Sequence, residues 1–276
     1  MSEVLREWAD NASAWQKHNA MIRTMFAPLT AALIEEAGIT AGQKILDVAG
    51  GPGEPSLTIA ETVGPTGSVM CTDAVAEMVA AAEAEAKRRG LTNVEFRRCV
   101  AESLPFDDNT FDVAVSRLGV MFFPDVPAAL REMLRVIKPR GALCFVVWGQ
   151  SELNAFTNVV TKVMERHVET PPAGPDDPGA FRFAERGKLV ALLAQADAVD
   201  VRERELNFRI EAPLSVEQYW DLRAETSGTL REKLATLSED ERRRVASEVQ
   251  ESAREFFPEG HMSFPAQMLL ISGRKR

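Results

Sequence analysis

The chain has 276 residues, 45% hydrophobic and 26% charged, a globular composition that excludes a disordered or fibrous chain. Its 32 basic and 41 acidic side chains give a formal charge of −9, spread evenly, so no basic domain exists to neutralise a phosphate backbone and nucleic acid is excluded as the main partner. No stretch approaches the roughly 18 apolar residues of a membrane span, and residues 1–20 lack the apolar run of a signal peptide. These exclusions predict a soluble cytoplasmic protein with no stable membrane insertion. Cys71, Cys99 and Cys144 are too isolated for a disulfide framework or a paired-cysteine metal site and are expected as reduced, packed thiols.

In chain order, residues 3–37 read as two helices, the second (29–38) closing on Gly38. KILDVAG (44–50) is a short apolar strand stopping at glycine, and 54–64 reads as a helix ended by Gly64. Strand 68–73, the alanine-rich helix 75–90 and strand 94–100 follow. FDVAVS (111–116) is apolar at nearly every position, as a central strand covered on both faces requires. Leu130, Leu134 and Ile137 lie at helical spacing in 126–141, which ends in the helix-stop Lys138-Pro139-Arg140-Gly141 before strand 142–148. Strand–helix alternation of this kind predicts parallel βαβ units in a doubly wound sheet. Beyond Trp148 the pattern gives a helix at 152–168, a turn-rich exposed loop at 171–179 and a helix at 185–196. Strand 199–210, a charged helical stretch at 215–257 and a last strand at 263–275 complete it. The run Glu239–Arg244 reads as a solvated helix face.

The most informative segment is Asp47-Val48-Ala49-Gly50-Gly51-Pro52-Gly53, where a strand runs into a glycine turn and a helix starts behind it. Glycine lets backbone approach a ligand closely, and a following helix start offers free amide donors. A dinucleotide fingerprint starting at Gly51 would need a third glycine where Ser56 stands, and a phosphate-binding loop would need Gly-Lys-Ser/Thr, which is absent. Asp73, at the end of the second strand, can accept hydrogen bonds from paired ribose hydroxyls, or it can cap the next helix without any ligand.

The segment Asp47, Ala49, Gly51, Gly53 resembles the D-x-G-x-G-x-G motif of class I S-adenosylmethionine-dependent methyltransferases, with Ala49 in place of the first glycine. Cys99-Val100-Ala101-Glu102-Ser103-Leu104-Pro105-Phe106 is similar to the G-D-A-E-x-L-P-F segment of the subgroup that includes the ubiquinone and menaquinone biosynthesis methyltransferases. Residues 135–148 resemble the L-K-P-G-G-x-L motif of the same family, with Arg140 where its first glycine usually stands. The resemblance covers about residues 40–150. It implies a Rossmann-like, doubly wound α/β fold: a mostly parallel seven-stranded sheet, helices on both faces and an added helical lid.

It further implies S-adenosylmethionine as cofactor, with Asp47, Ala49, Gly50, Gly51 and Gly53 forming the turn beneath it. Asp73 and Ala74 would lie at the ribose, Met78 against adenine or in the core, and Val100, Ala101 and Glu102 near the adenine edge. Val100 replaces the family's acidic residue, which leaves backbone at Ala101 for the adenine amino group. Arg117 and Met121 fall in the loop beside the methyl donor, Arg117 as partner of the cofactor carboxylate or an anionic substrate, or as a surface cation. His18 is the candidate general base.

The amino-methyltransferase tetrad of nucleic-acid enzymes would follow the fourth strand, where Ser116-Arg117-Leu118-Gly119 stands instead, and no carboxylate cluster for a divalent metal follows it. The acceptor is therefore expected to be a small molecule, methylated on oxygen or carbon without metal. Trp148, Phe156, Phe181, Phe183, Tyr219, Trp220, Phe256 and Phe257 are available to line its pocket, two or three of them in contact with it. A nucleotide-dependent oxidoreductase and a non-catalytic cofactor-binding module are the alternatives. A single domain is expected: a helical segment (1–40) over the cofactor site, a cofactor-binding core (41–150), and acceptor-side additions with the last two strands (151–276).

Overall fold

The computed structural model describes residues 3–169 and 174–276, so residues 171–173 of the expected loop lie outside the described residues. Seven strands form one sheet: β1 (Lys44–Val48), β2 (Ser68–Asp73), β3 (Val94–Arg98), β4 (Phe111–Arg117), β5 (Ile137–Trp148), β6 (Val199–Ala212) and β7 (Met262–Arg274). Their order is β3-β2-β1-β4-β5-β7-β6. β1 to β5 pair in parallel, and β7 runs antiparallel to both β5 and β6. This is the doubly wound, mostly parallel sheet that the alternation predicts. Consecutive residues Ile45, Leu46 and Asp47 of β1 and Val113 to Ser116 of β4 are all buried, because both sheet faces are covered. The chain leaves β1 toward β2 and β3 and then returns to β4, so a crevice opens beyond the carboxyl ends of β1 and β4, the topological switch point.

The helices are α1 (Glu3–Lys17), α2 (Asn19–Met25), α3 (Ala27–Ala37), α4 (Ser56–Val63), α5 (Ala76–Arg88), α6 (Val126–Val136), α7 (Ala155–His167), α8 (Lys188–Gln195), α9 (Val216–Thr226), α10 (Gly228–Ala235) and α11 (Glu239–Ala253). Helices α3 to α6 and α8 pack on the sheet, whereas α1 lies against α5, α9 and α10. Gly38 closes α3 in the left-handed conformation, as read from the sequence. Three boundaries differ from expectation. The N-terminal region holds three helices, broken at His18 and Phe26 with no glycine to mark either break. The helix after β1 starts at Ser56, because residues 51–55 are spent in turns. β5 starts at Ile137: that residue pairs with Phe111, and the ladder slips at a bulge before Ala142 pairs with Val113.

An aromatic cluster fastens the late helices to the sheet. Tyr219 of α9 and Phe156 of α7 lie 4.8 and 5.6 Å from Phe264 of β7, centroid to centroid, and the buried Tyr219 hydroxyl donates to the Phe156 carbonyl oxygen at 2.7 Å. Phe256 stacks on Phe264 at 4.7 Å. Phe264→Ala is expected to cost about 3–5 kcal/mol through the cavity it leaves. Tyr219→Phe should cost only about 0.5–1.5 kcal/mol, the net worth of one hydrogen bond. Urea denaturation midpoints at unchanged slope test both values.

Candidate functional site

The crevice at the switch point is a cavity of about 380 Å³. One side is formed by the turn after β1 (Ala49, Gly50, Gly51, Pro52), the ends of β2 and β3 (Asp73, Ala74, Cys99 to Glu102) and Met78 of α5. The other is formed by the turn after β4 (Arg117 to Gly119, Met121 to Pro124), Trp148 at the end of β5, Phe156 and Thr157 of α7, and Pro178 to Ala180. Helices α1 and α2 and the α9–α10 junction roof it over. Three roof contacts join chain positions about two hundred residues apart: Trp15 Nε1 donates to the Thr226 carbonyl at 3.0 Å, Lys17 pairs with Glu225 at 2.7 Å, and Arg231 donates to Asn11.

The glycine turn is held by two carboxylates. Asp73 Oδ2 accepts from Gly51 N at 3.0 Å and its Oδ1 accepts from Val75 N at 2.9 Å, so Asp73 ties the β1 turn to the start of α5. Burial pushes the Asp73 carboxyl up, and these backbone donors oppose the shift. Gly51 takes φ +55°, and a Cβ built on it would meet nothing within 4 Å, so its open side faces the cavity. Ala49 takes φ +60°, the left-handed conformation that the family motif meets with glycine, at a cost of about 1 kcal/mol. Asn19 of α2 donates to the Pro52 carbonyl at 2.9 Å, tying the roof to the turn.

Asp47 lies wholly buried under the turn. Its Oδ2 accepts from Ser56 Oγ at 2.5 Å, while Oδ1 has no partner. Burial pushes its carboxyl up to about 7, against the opposing pull of Ser56 and the Arg117 charge. Arg117 donates to Thr30 Oγ1 at 2.7 Å and to the Glu54 carbonyl at 3.1 Å; its Nε and the nearby Ser116 Oγ are buried without a partner. Glu54 pairs with Arg89 at 2.6 Å. A cavity wall with free polar positions at its base and an open glycine face can take a small, polar, partly cationic ligand.

Most of the residues singled out in the sequence meet here: Ala49, Gly50, Gly51, Asp73, Ala74, Met78, Val100, Ala101, Glu102, Arg117 and Met121 all line the cavity. Asp47 and Gly53 stand behind the wall. A Cβ on Gly53 would come within 2.9 Å of Leu57, so that glycine serves packing of the turn on α4. Met78 also packs with Ala12 of α1, beside Trp8 and Trp15, so it is a core residue as well as a cavity-lining one. Glu102 Oε1 accepts from Asp125 N at 3.2 Å. His18 is not among the residues that line the cavity, and its Nε2 lies 2.7 Å from Glu225 Oε2 in the roof.

The cavity walls take in two of the expected aromatics and add others. Of the eight aromatics foreseen, Trp148 and Phe156 line the cavity, and Phe183 and Tyr219 are core. The walls instead recruit Trp8, Trp15, Phe26, Phe122 and Phe123, with Trp8 edge-on to Phe122 at 5.1 Å. Arg223, which also lines the cavity, is not foreseen in the sequence. The amphipathic pattern around Trp8 and Trp15 was the available signal for the roof, whereas nothing local to Arg223 marks it.

A profile of the ubiE/COQ5 methyltransferase family matches residues 13–167. An uncharacterized protein of Mycobacterium tuberculosis is 41% identical over 128 residues, 46% of this chain and 45% of that one. The ubiquinone/menaquinone biosynthesis C-methyltransferase of Cellvibrio japonicus is 41% identical over 111 residues, 40% of this chain and 45% of that one. The match therefore spans about half the length of these relatives. The YcgJ protein of Bacillus subtilis shares the fold at TM-score 0.59 and 23% identity, over 90% of this chain and 97% of its own.

The buried Asp47 carboxyl makes stability depend on pH. The folded state holds a proton that the unfolded state releases near pH 3.8, so stability is highest below that value and falls as pH rises to about 7. Asp47→Asn should remove this component, leaving a flatter profile between pH 4 and 7. Denaturation midpoints of both proteins across that window provide the check, and parallel profiles would refute the assignment.

Proposed function

The chain belongs to the ubiE/COQ5 methyltransferase family, and from that premise we propose that it methylates carbon or oxygen of a small aromatic or hydrophobic metabolite. S-adenosylmethionine, the cofactor of the family, supplies an electrophilic methyl group on a sulfonium that departs as a neutral thioether. The observation that carries the reading is one continuous cavity with two chemically distinct sides: carboxylates and a glycine turn on one, Trp148, Phe156, Phe26 and Phe122 on the other. In this reading Asp73 receives the ribose hydroxyls and Ala49 to Gly51 pass beneath the methionine portion. Met78 and the backbone at Val100 and Ala101 border the adenine. Asp47 and Arg117 set the charge beneath the turn, and aromatic faces on the far side favour both a cation and a flat acceptor.

Because the leaving group needs no acid, the residues of this chain mainly align the acceptor with the methyl group and exclude water. Among the described residues no histidine lines the cavity, so the reading assigns no imidazole base. The name of the Cellvibrio relative, a C-methyltransferase, favours carbon as the methylated atom. The chain is read as a single domain, with 1–40 capping the cofactor site, 41–150 holding the cofactor and 151–276 adding the acceptor side and the last two strands.

S-adenosylmethionine and its demethylated product should each raise thermal stability, by about 2.7 kcal/mol at a hundredfold excess over Kd. Asp73→Ala should weaken both by about tenfold or more, since a charge-assisted hydrogen bond contributes about 1.5–3 kcal/mol. Incubation with ¹³C-methyl cofactor and a panel of phenols and hydroquinones, read by NMR, then locates the transferred methyl. No thermal shift at millimolar cofactor would sink the proposal, and a shift with NAD(H) alone would favour the oxidoreductase. Binding without transfer across the panel would favour a non-catalytic module.

A further inference from the structure

Arg223, on α9, lines the acceptor side of the cavity, and no hydrogen bond or ion pair joins its guanidinium to any described residue. Its guanidinium carbon lies 4.9 Å from the centre of the Phe156 ring, and its Nε is sealed from solvent without an acceptor. A ring face balances part of the charge and accepts none of the five N–H donors in the guanidinium plane. The carboxylates that share the cavity are engaged elsewhere. Glu54 pairs with Arg89, Asp73 accepts from Gly51 and Val75, Glu102 accepts from Asp125 N, and Glu7 accepts from the Thr229 hydroxyl. Arg117, the other arginine of the cavity, is held by Thr30 and the Glu54 carbonyl. A half-buried guanidinium whose Nε is sealed without an acceptor is costly to keep, and its fork matches a planar two-oxygen anion.

The position separates this arginine from the cofactor residues. Those follow β1, β2, β3 and β4, whereas Arg223 stands over Phe156 on α7, which follows β5, beyond β4 in the strand order. We propose that Arg223 is the anion-recognition residue of the acceptor pocket, and that the methyl acceptor is an aromatic acid whose carboxylate takes the guanidinium fork while its ring lies among Trp148 and Phe156. This inference rests on the methyltransferase reading above.

Titration calorimetry on the full chain saturated with S-adenosylhomocysteine tests it, using 1-hydroxy-2-naphthoate and benzoate against the methyl ester of each. Wild type should bind the acids in preference to the esters. Arg223→Met should lose about tenfold or more in affinity for the acids, with little change for the esters, and Arg223→Lys should recover only part of the loss, since it keeps the charge and not the fork. Affinity for S-adenosylhomocysteine should be unchanged in both variants, and the ligand-free Arg223→Met protein should melt no lower than wild type. Equal loss of S-adenosylhomocysteine affinity, no preference of wild type for acids, or a lowered melting temperature for ligand-free Arg223→Met would each overturn the proposal. Failure of wild type to bind S-adenosylhomocysteine at all would instead remove the methyltransferase reading on which it rests.

Discussion

Two carboxylates hold the turn that leaves the central strand, and the cavity depends on both. Asp73 at the end of β2 accepts the Gly51 amide, which sets the turn against the neighbouring strand. Asp47 at the end of β1 accepts the Ser56 hydroxyl from below, fastening the turn to the start of α4. With its two ends held, the turn can keep Ala49 in a left-handed conformation and leave the open side of Gly51 to the cavity. The arrangement puts a carboxylate with one free oxygen in a dry layer, close to a partly unpartnered Arg117. Neither group would be retained there for stability alone, because a buried charge destabilises unless its hydrogen bonds are complete. On the reading proposed above, a ligand in the cavity would supply the partner that Arg117 Nε lacks.

Charge of both signs lines the cavity, with Glu7, Glu54 and Arg117 beside the groups that mark its two sides. Asp73 and Glu102 belong to the side that follows β2 and β3, with Asp47 buried beneath the adjoining turn, and Arg223 belongs to the side that follows β5 and rides on α9. Between them lie Leu118, Gly119 and Met121, an apolar saddle after β4. On the reading proposed above, a positively charged donor would be drawn to one side and an anionic acceptor to the other. The overall negative charge of the chain does not determine this. The local sign at the acceptor end is opposite to that of the whole molecule.

The parts of this picture that were legible in the sequence are those with local signatures. Strand periods located all seven strands, and the run Asp47 to Gly53 with Asp73 and Val100 to Glu102 located one half of the cavity. Boundaries failed where two local signals competed. Lys138-Pro139-Arg140 reads as a helix stop, yet Ile137 has already joined the sheet, and the bulge with Arg140 at φ +63° absorbs the stop signal. Within 215–257 the divisions were written as capping boxes, Ser215 with Gln218 and Ser238 with Glu241, whose side chains and backbones bond reciprocally. The acceptor half escaped because it is assembled from tertiary neighbours: Phe156 and Arg223 meet only because Tyr219 and Phe264 bring α7 and α9 onto β7. The contact of His18 with Glu225 has no local signature for the same reason, since the two are 207 residues apart.

The roof over the cavity has a consequence for the order of assembly. Trp15 and Thr226, which close it, are separated by 211 positions, so their meeting carries nearly the largest loop-closure entropy available to the chain. The β1–β4 half, built from contacts of far shorter span, can form during synthesis while α9 is still unmade. The glycine turn is then complete before anything covers it. Enclosure of the pocket therefore has to wait for α9 and α10, which come late in the chain.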